Sequence, residues 1–266
     1  MTRPVAASAL KLENGMGNLQ GKVALVTGAG QGVGRGIALA LAGQGATVAV
    51  VGRTAAKLES TAGLIVERGG EASTVVCDVG DGEAIDACVE QVVGAHGTVD
   101  ILVNNAQVVP LGKLLDVTEK SFEMGLRTGP VATLRFMQRC HPHLKDGGSV
   151  VNLGSGASLR PDPVGLGAYA AVKEATRSLT RAAAVEWGPD GIRVNAIIPI
   201  GNSPGMEMWG EFFPDDYKSF MATVPLGRLG DCERDVGGAV AWLSSDAASY
   251  ITGTTLMLDG GQAYLR

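Results

Sequence analysis

The sequence predicts an α/β fold, a doubly wound parallel seven-stranded sheet with helices on both faces. Three observations carry this expectation. Short, continuously apolar runs alternate with segments of helical period along nearly the whole chain. Such runs are strands buried on both faces, and their alternation with helices marks parallel βαβ units. The first run also passes directly through a glycine-rich turn, Gly28-Ala29-Gly30-Gln31-Gly32-Val33-Gly34, into a helix. Finally, 266 residues with 45% hydrophobic content supply one large core but not a second full domain.

Taken in order, residues 22–27 (Lys-Val-Ala-Leu-Val-Thr) form the first strand, and the helix beyond the turn runs through Ile37, Leu39, Ala40 and Leu41. Strands at 47–51, 72–77 and 99–103 alternate with helices at 55–68 and 83–96, and a helical stretch then reaches residue 144. A strand at 149–153 precedes the helix holding Tyr169 and Lys173, followed by strands at 193–198 and 254–258. Residues 1–19 mix small, polar and charged side chains and read as a loose tail, so one domain spans 20–266. That tail lacks the continuous apolar stretch of a secretory signal, and no run in the chain reaches the roughly 18 residues that span a bilayer.

Residues 200–224 break the alternation. The chain holds 3 Trp, 4 Tyr and 5 Phe, and Trp209, Phe212, Phe213, Tyr217 and Phe220 all fall in this one segment with Met206, Met208 and Met221. An apolar insertion after a strand end reads as a lid over an apolar substrate, with Trp209 and Phe213 in the pocket.

A net charge of -5 with scattered Lys and Arg argues against nucleic acid and anionic membrane as partners. Cys77, Cys88, Cys140 and Cys232 contain no Cys-x-x-Cys pair and read as reduced, mostly buried thiols of a cytoplasmic protein. His141-Pro142-His143 reads as a helix ending at a proline-containing loop, and no metal site is expected.

Two motifs carry chemistry. Strand, glycine-rich turn and helix in sequence suit a dinucleotide, because glycine lets the backbone approach a pyrophosphate and the helix N-terminus offers free N–H groups. Tyr169 and Lys173, at i and i+4 on one helix face, lie downstream of Ser155. A phenol is a poor acid or base near neutrality, and a neighbouring ammonium favours the phenolate. Ser155 completes the trio by donating to a substrate oxygen where charge changes.

Together these motifs resemble the short-chain dehydrogenase/reductase family over residues 19–263. Thr27-Gly28-x-x-x-Gly32-x-Gly34 resembles the family's cofactor turn, Asp78-Val79 its adenine contact and Asn104-Asn105-Ala106 its strand-end motif. Ser155, Tyr169 and Lys173 match the catalytic triplet, while Pro225-Leu226-Gly227-Arg228 and Asp259-Gly260-Gly261 resemble C-terminal signatures. The resemblance implies a Rossmann fold, a homotetramer joined through helices around 118–144 and 166–188, and reversible hydride transfer between a nicotinamide and a ketone or alcohol. It assigns Tyr169 as general acid and base, Lys173 to the nicotinamide ribose and to activating the phenol, and Ser155 to the carbonyl oxygen. Cofactor contacts are expected from Gly28, Gln31, Gly32, Val33, Gly34, Arg53, Thr54, Asp78, Val79, Asn105, Ala106, Tyr169, Lys173 and Pro199, with Gln107 and Gly156 on the substrate side.

The chain departs from the family pattern at several positions. Gly129 stands where the family places an Asn, Gln107 replaces a glycine, Ile200 follows Pro199 in place of glycine, and Pro204 replaces a Thr whose role Ser203 is placed to take. Ser155 is also one residue further from the tyrosine than is common. At the end of the second strand Gly52-Arg53-Thr54 carries no acid, which favours NADP(H), since an acid there would repel a 2'-phosphate that arginine accommodates. Two rival readings are an NAD(H)-dependent dehydrogenase working oxidatively and a cofactor-binding protein without turnover.

Overall fold

The computed structural model describes residues 18–160 and 165–263. The tail therefore lies outside the described residues except for Asn18 and Leu19. Leu19 belongs to the core instead, being 1% exposed, with its N–H donating to the Gln44 carbonyl at 2.9 Å.

Seven strands form one sheet: β1 (Val23–Thr27), β2 (Thr47–Gly52), β3 (Glu71–Val76), β4 (Ile101–Asn104), β5 (Ser149–Leu153), β6 (Arg193–Pro199) and β7 (Thr255–Leu258). Their order is β3-β2-β1-β4-β5-β6-β7, and every pairing is parallel. β1 and β5 are buried at every position, which explains their unbroken apolar character, whereas the edge strand β3 exposes Val76.

Helices α1 (Gly32–Gly43), α2 (Ala55–Glu67) and α9 (Gly238–Ser244) supply the core on one face. Helices α3 (Gly82–His96), α5 (Ala132–Leu144) and α6 (Gly167–Trp187) supply the core on the other. Among the described residues no helix is long and apolar enough to cross a membrane. The chain runs from β1 outward to β3, then returns to place β4 on the other side of β1. This reversal opens a crevice beyond the C-terminal ends of β1 and β4, where doubly wound sheets bind ligands.

Four local features differ from the sequence expectation. The β4 ladder begins with Ala24 opposite Ile101, so Val99, although buried, precedes the strand. The helical stretch to residue 144 is two helices, α4 (Glu119–Leu126) and α5, joined by a kinked π-type turn at Arg127–Val131. Pro130 lies within that turn and Gly129 leaves helical geometry at φ -94, ψ -107, so the backbone cannot continue a regular ladder. At the far end α5 does not stop before Pro142; burial of Cys140 and Leu144 on one face holds its last turn together. There His141 Nε2 lies 3.0 Å from Asp190 Oδ2 and its ring meets Trp187 edge-on, an acidic partner that sequence proximity did not reveal.

The segment expected as a lid folds into two short helices, α7 (Pro204–Phe212) and α8 (Pro214–Met221). Its aromatic residues pack on each other, with Trp209 edge-on to Tyr217 and Phe220 at 5.7 and 5.3 Å between ring centres.

Candidate active site

At the end of β1, Thr27 ties the crevice together. Its Oγ1 accepts from the N–H groups of Asn105 (2.9 Å) and Ala106 (3.0 Å), and Asn105 Nδ2 donates back to the Thr27 carbonyl at 2.8 Å. The turn that follows needs glycine on two counts. Gly28 and Gly32 adopt φ +66 and +54, and a Cβ on Gly34 would collide with the Gly28 carbonyl. The result is a backbone cradle at the start of α1, open on the side of the crevice.

A cleft of about 520 Å³ runs along this cradle. It gathers Gly28, Gln31, Gly32, Val33, Gly34, Arg53, Thr54, Asp78, Val79, Asn105, Ala106 and Gln107, all anticipated from the sequence. Lys57, on α2, lines the same end as Arg53 and donates to Gln31 Oε1 at 2.5 Å, so a second cation stands beside the cradle. Sequence reasoning missed it, since Lys57 follows the strand end by a helical turn rather than lying in a motif. Pro199 ends β6 and is not part of this wall; Ser203, Pro204 and Gly205 form it instead. Ser203 also caps α7, its Oγ accepting from Met206 N at 3.4 Å.

The structure brings the catalytic trio together from two elements. β5 ends just before Ser155, and α6 presents Tyr169 and Lys173 on one face toward it. Ser155 hydrogen-bonds the Tyr169 phenol, and its Oγ also accepts from Ala157 N at 3.3 Å. Lys173 is 5% exposed, lies 5.7 Å from the Tyr169 ring centre and donates to the Leu153 carbonyl at 2.6 Å. Among the described residues no carboxylate pairs with it.

Electrostatics here differ from the sequence expectation of an ammonium that depresses the phenol. Burial raises the Tyr169 pKa, opposed by the Ser155 hydrogen bond, and burial pushes Lys173 down to about 7. Both groups have left water without a counter-ion, so desolvation outweighs their mutual influence.

Of the residues expected around a substrate, Gln107 reaches the cleft while the others lie apart from it. Gly156 begins a turn beside Gln262 and Ala263, Trp209 is half-buried with its ring against Tyr217 and Phe220, and Phe213 is 57% exposed at the junction of α7 and α8. Closer to the trio stands an apolar edge that sequence reasoning overlooked. Leu111, Leu114 and Leu115 are exposed on the loop after β4, and Gly112 N–H donates to the Gly165 carbonyl at 3.0 Å, docking that loop beside the start of α6.

Comparison with known proteins agrees with this geometry. Residues 28–263 match the family model described as Enoyl-(Acyl carrier protein) reductase. The 12alpha-hydroxysteroid dehydrogenase of a Clostridium species is 38% identical over 255 residues, covering 92% of this chain and 98% of that protein. L-xylulose reductase of Bos taurus is 39% identical over 251 residues, covering 91% and 97%. Among solved structures, a short-chain dehydrogenase/reductase from Serratia marcescens superimposes with a TM-score of 0.87 at 33% identity, covering 93% of this chain and all of that one. A short-chain dehydrogenase from Burkholderia cenocepacia in complex with NADP gives 0.86 at 32% identity, covering 92% and 99%. Strand order, cleft, trio and these full-length likenesses agree, and the chain belongs to the short-chain dehydrogenase/reductase family, oxidoreductases that act on alcohols and carbonyls with a nicotinamide cofactor.

Proposed function

We propose that the protein is an NADP(H)-dependent oxidoreductase that interconverts a ketone and a secondary alcohol on a fairly apolar substrate. The observation that carries this reading is the convergence of Ser155, Tyr169 and Lys173 beside a cleft shaped for a dinucleotide. The cleft passes a physical test of fit: side chains at Gly28 or Gly34 would strike Asn105 or the Gly28 carbonyl and distort the cradle, and among the described residues no side chain caps the α1 N-terminus, leaving its N–H groups to a pyrophosphate.

When bound, the nicotinamide supplies or accepts the hydride at the reacting carbon. In reduction the Tyr169 hydroxyl gives its proton to the carbonyl oxygen, and a phenol whose pKa is raised is fully protonated for that task at neutral pH. Ser155 holds the same oxygen. Lys173 retains N–H donors beyond the one used on Leu153, and these suit ribose hydroxyls; such acceptors would favour its charged form and assist Tyr169 as a base in oxidation.

For the 2'-phosphate, Arg53 and Lys57 stand at one end of the cleft, and among the described residues neither pairs with a carboxylate. Lys57 supplies the positive charge that Gln31 does not. Arg53→Ala is expected to weaken NADPH binding by about 1.5 to 3 kcal/mol, the range for a charge-assisted hydrogen bond, and NADH much less. Fluorescence titration of both cofactors checks this, and equal weakening removes Arg53 from cofactor choice.

An apolar substrate is supported by the leucine edge beside α6, by the α7–α8 pair and by the steroid named for one relative. In this reading the exposed Phe213, rather than Trp209 packed on Tyr217 and Phe220, would touch the substrate when the pair closes. Phe213→Ala should raise KM for bulky ketones several-fold with unchanged cofactor affinity. Should the variant instead dissociate a homotetramer while keeping its KM, the segment serves assembly.

A further inference from the structure

Gln107 and Gly129 are two departures from the family pattern on different elements, one after β4 and one in the kinked turn before α5. In the structure they meet. A Cβ built on Gly129 would lie 3.1 Å from Gln107 Nε2, 3.2 Å from its Cδ and 2.8 Å from Cγ1 of Val172. The glutamine amide thus occupies the room that a side chain at 129 would require. Val172 immediately precedes Lys173 and is fully buried, so the contact sits against the turn of α6 that carries Tyr169 and Lys173.

Packing alone does not account for a glutamine here. Its Nε2 is buried with no hydrogen-bond partner, and among the described residues its side chain makes no hydrogen bond. An apolar side chain of equal size would fill the same space without burying an unsatisfied donor. Gln107 is nevertheless only half-buried as a whole and lines the nucleotide cleft. The amide is therefore packed on one side and open to a ligand on the other.

We propose that Gln107 is a positioning residue. Seated in the space left by Gly129, it helps set how closely the kinked turn approaches Val172 and the Tyr169–Lys173 turn, and it offers its amide oxygen to the bound dinucleotide. Gln107 and Gly129 are then a matched pair: a side chain at 129 competes for space with the one at 107. This inference rests on the nucleotide-binding reading of the cleft.

Four variants test it: Gln107→Leu, Gln107→Gly, Gly129→Ala and the double variant Gln107→Gly/Gly129→Ala. Each is measured for melting temperature, for NADPH affinity by fluorescence, and for Tyr169 ionisation by ultraviolet difference spectra against the corresponding Tyr169→Phe protein. Gln107→Leu should keep or raise the melting temperature, weaken NADPH about fivefold or more, and shift the Tyr169 titration. Gly129→Ala should lower the melting temperature, and adding Gln107→Gly should restore part of that loss, the part due to the contacts at 3.1 and 3.2 Å, while the contact with Val172 remains. If Gln107→Leu leaves NADPH affinity and the Tyr169 titration unchanged, Gln107 is filler and the positioning role is wrong. If the Gln107→Gly and Gly129→Ala effects simply add, the matched pair is wrong. Failure of the unaltered protein to bind NADPH or NADH would instead overturn the nucleotide reading itself.

Discussion

Tyr169→Phe is expected to lower kcat by about 10²- to 10⁴-fold, the span that general acid–base catalysis contributes. The substitution keeps the ring and deletes the hydroxyl that is hydrogen-bonded to the Ser155 side chain. NADPH affinity should stay within about twofold, because the ring that packs in the site is kept and Lys173, the expected ribose donor, is untouched. The loss should fall on kcat and kcat/KM alike, as when an interaction made only in the transition state is removed. A ketone reduced by the unaltered protein serves as substrate, with single-turnover kinetics to separate chemistry from product release. Near-normal turnover in this variant defeats the proposed proton transfer. Loss of NADPH binding with loss of turnover would place the phenol in the nucleotide site instead.

The fold was legible because its determinants are local. Each central strand is a short apolar run, each major helix follows in helical period, and the turn glycines lie in one continuous segment. The residues of the nucleotide cleft were legible for the same reason, being tied to strand ends whose place in the sheet follows from the alternation. What escaped depends on side chains meeting across the chain. Lys57 reaches Gln31 from another helix, and Gly129 is flanked by Gln107 and Val172 from two other elements. The short helix α9 was also passed over, although Val236 and Val240 mark a buried face and Asp231 caps its approach by accepting from Glu233 N at 3.0 Å and Arg234 N at 2.7 Å. The electrostatic expectation failed for a related reason. Sequence spacing shows that Lys173 is near Tyr169 but not how little water either retains, and burial sets the sign of both pKa shifts.

That burial leads to the second large effect, on stability rather than turnover. Lys173 has a pKa of about 7 in the folded protein against 10.5 as its ordinary value. Above 10.5 the group is neutral in both states and has no linkage effect. Below that, the unfolded chain binds a proton that the native site resists, so stability falls as pH drops toward and through 7. From pH 7 to 8.5 the free protein should therefore gain about 1.5 kcal/mol, or roughly 3–5 °C in melting temperature. Tyr169, Cys88, Cys140 and Cys232 have raised values and act in the opposite sense as pH nears and passes their ordinary values of 10.0 and 9.0, so the cysteines offset part of the gain only at the top of this window. Cys77, with a lowered value, acts in the same sense as Lys173, so the comparison must be made against a variant that retains it. Lys173→Met keeps the buried stem and removes the charge. It should be more stable than the unaltered protein at pH 7, with the difference shrinking toward pH 8.5. Saturating NADPH should flatten the unaltered protein's slope, because ribose hydroxyls accepting from the ammonium favour its charged form. A melting temperature that is flat or falls with pH in the unaltered protein, or a slope equally steep in Lys173→Met, would show that the buried lysine does not govern this dependence.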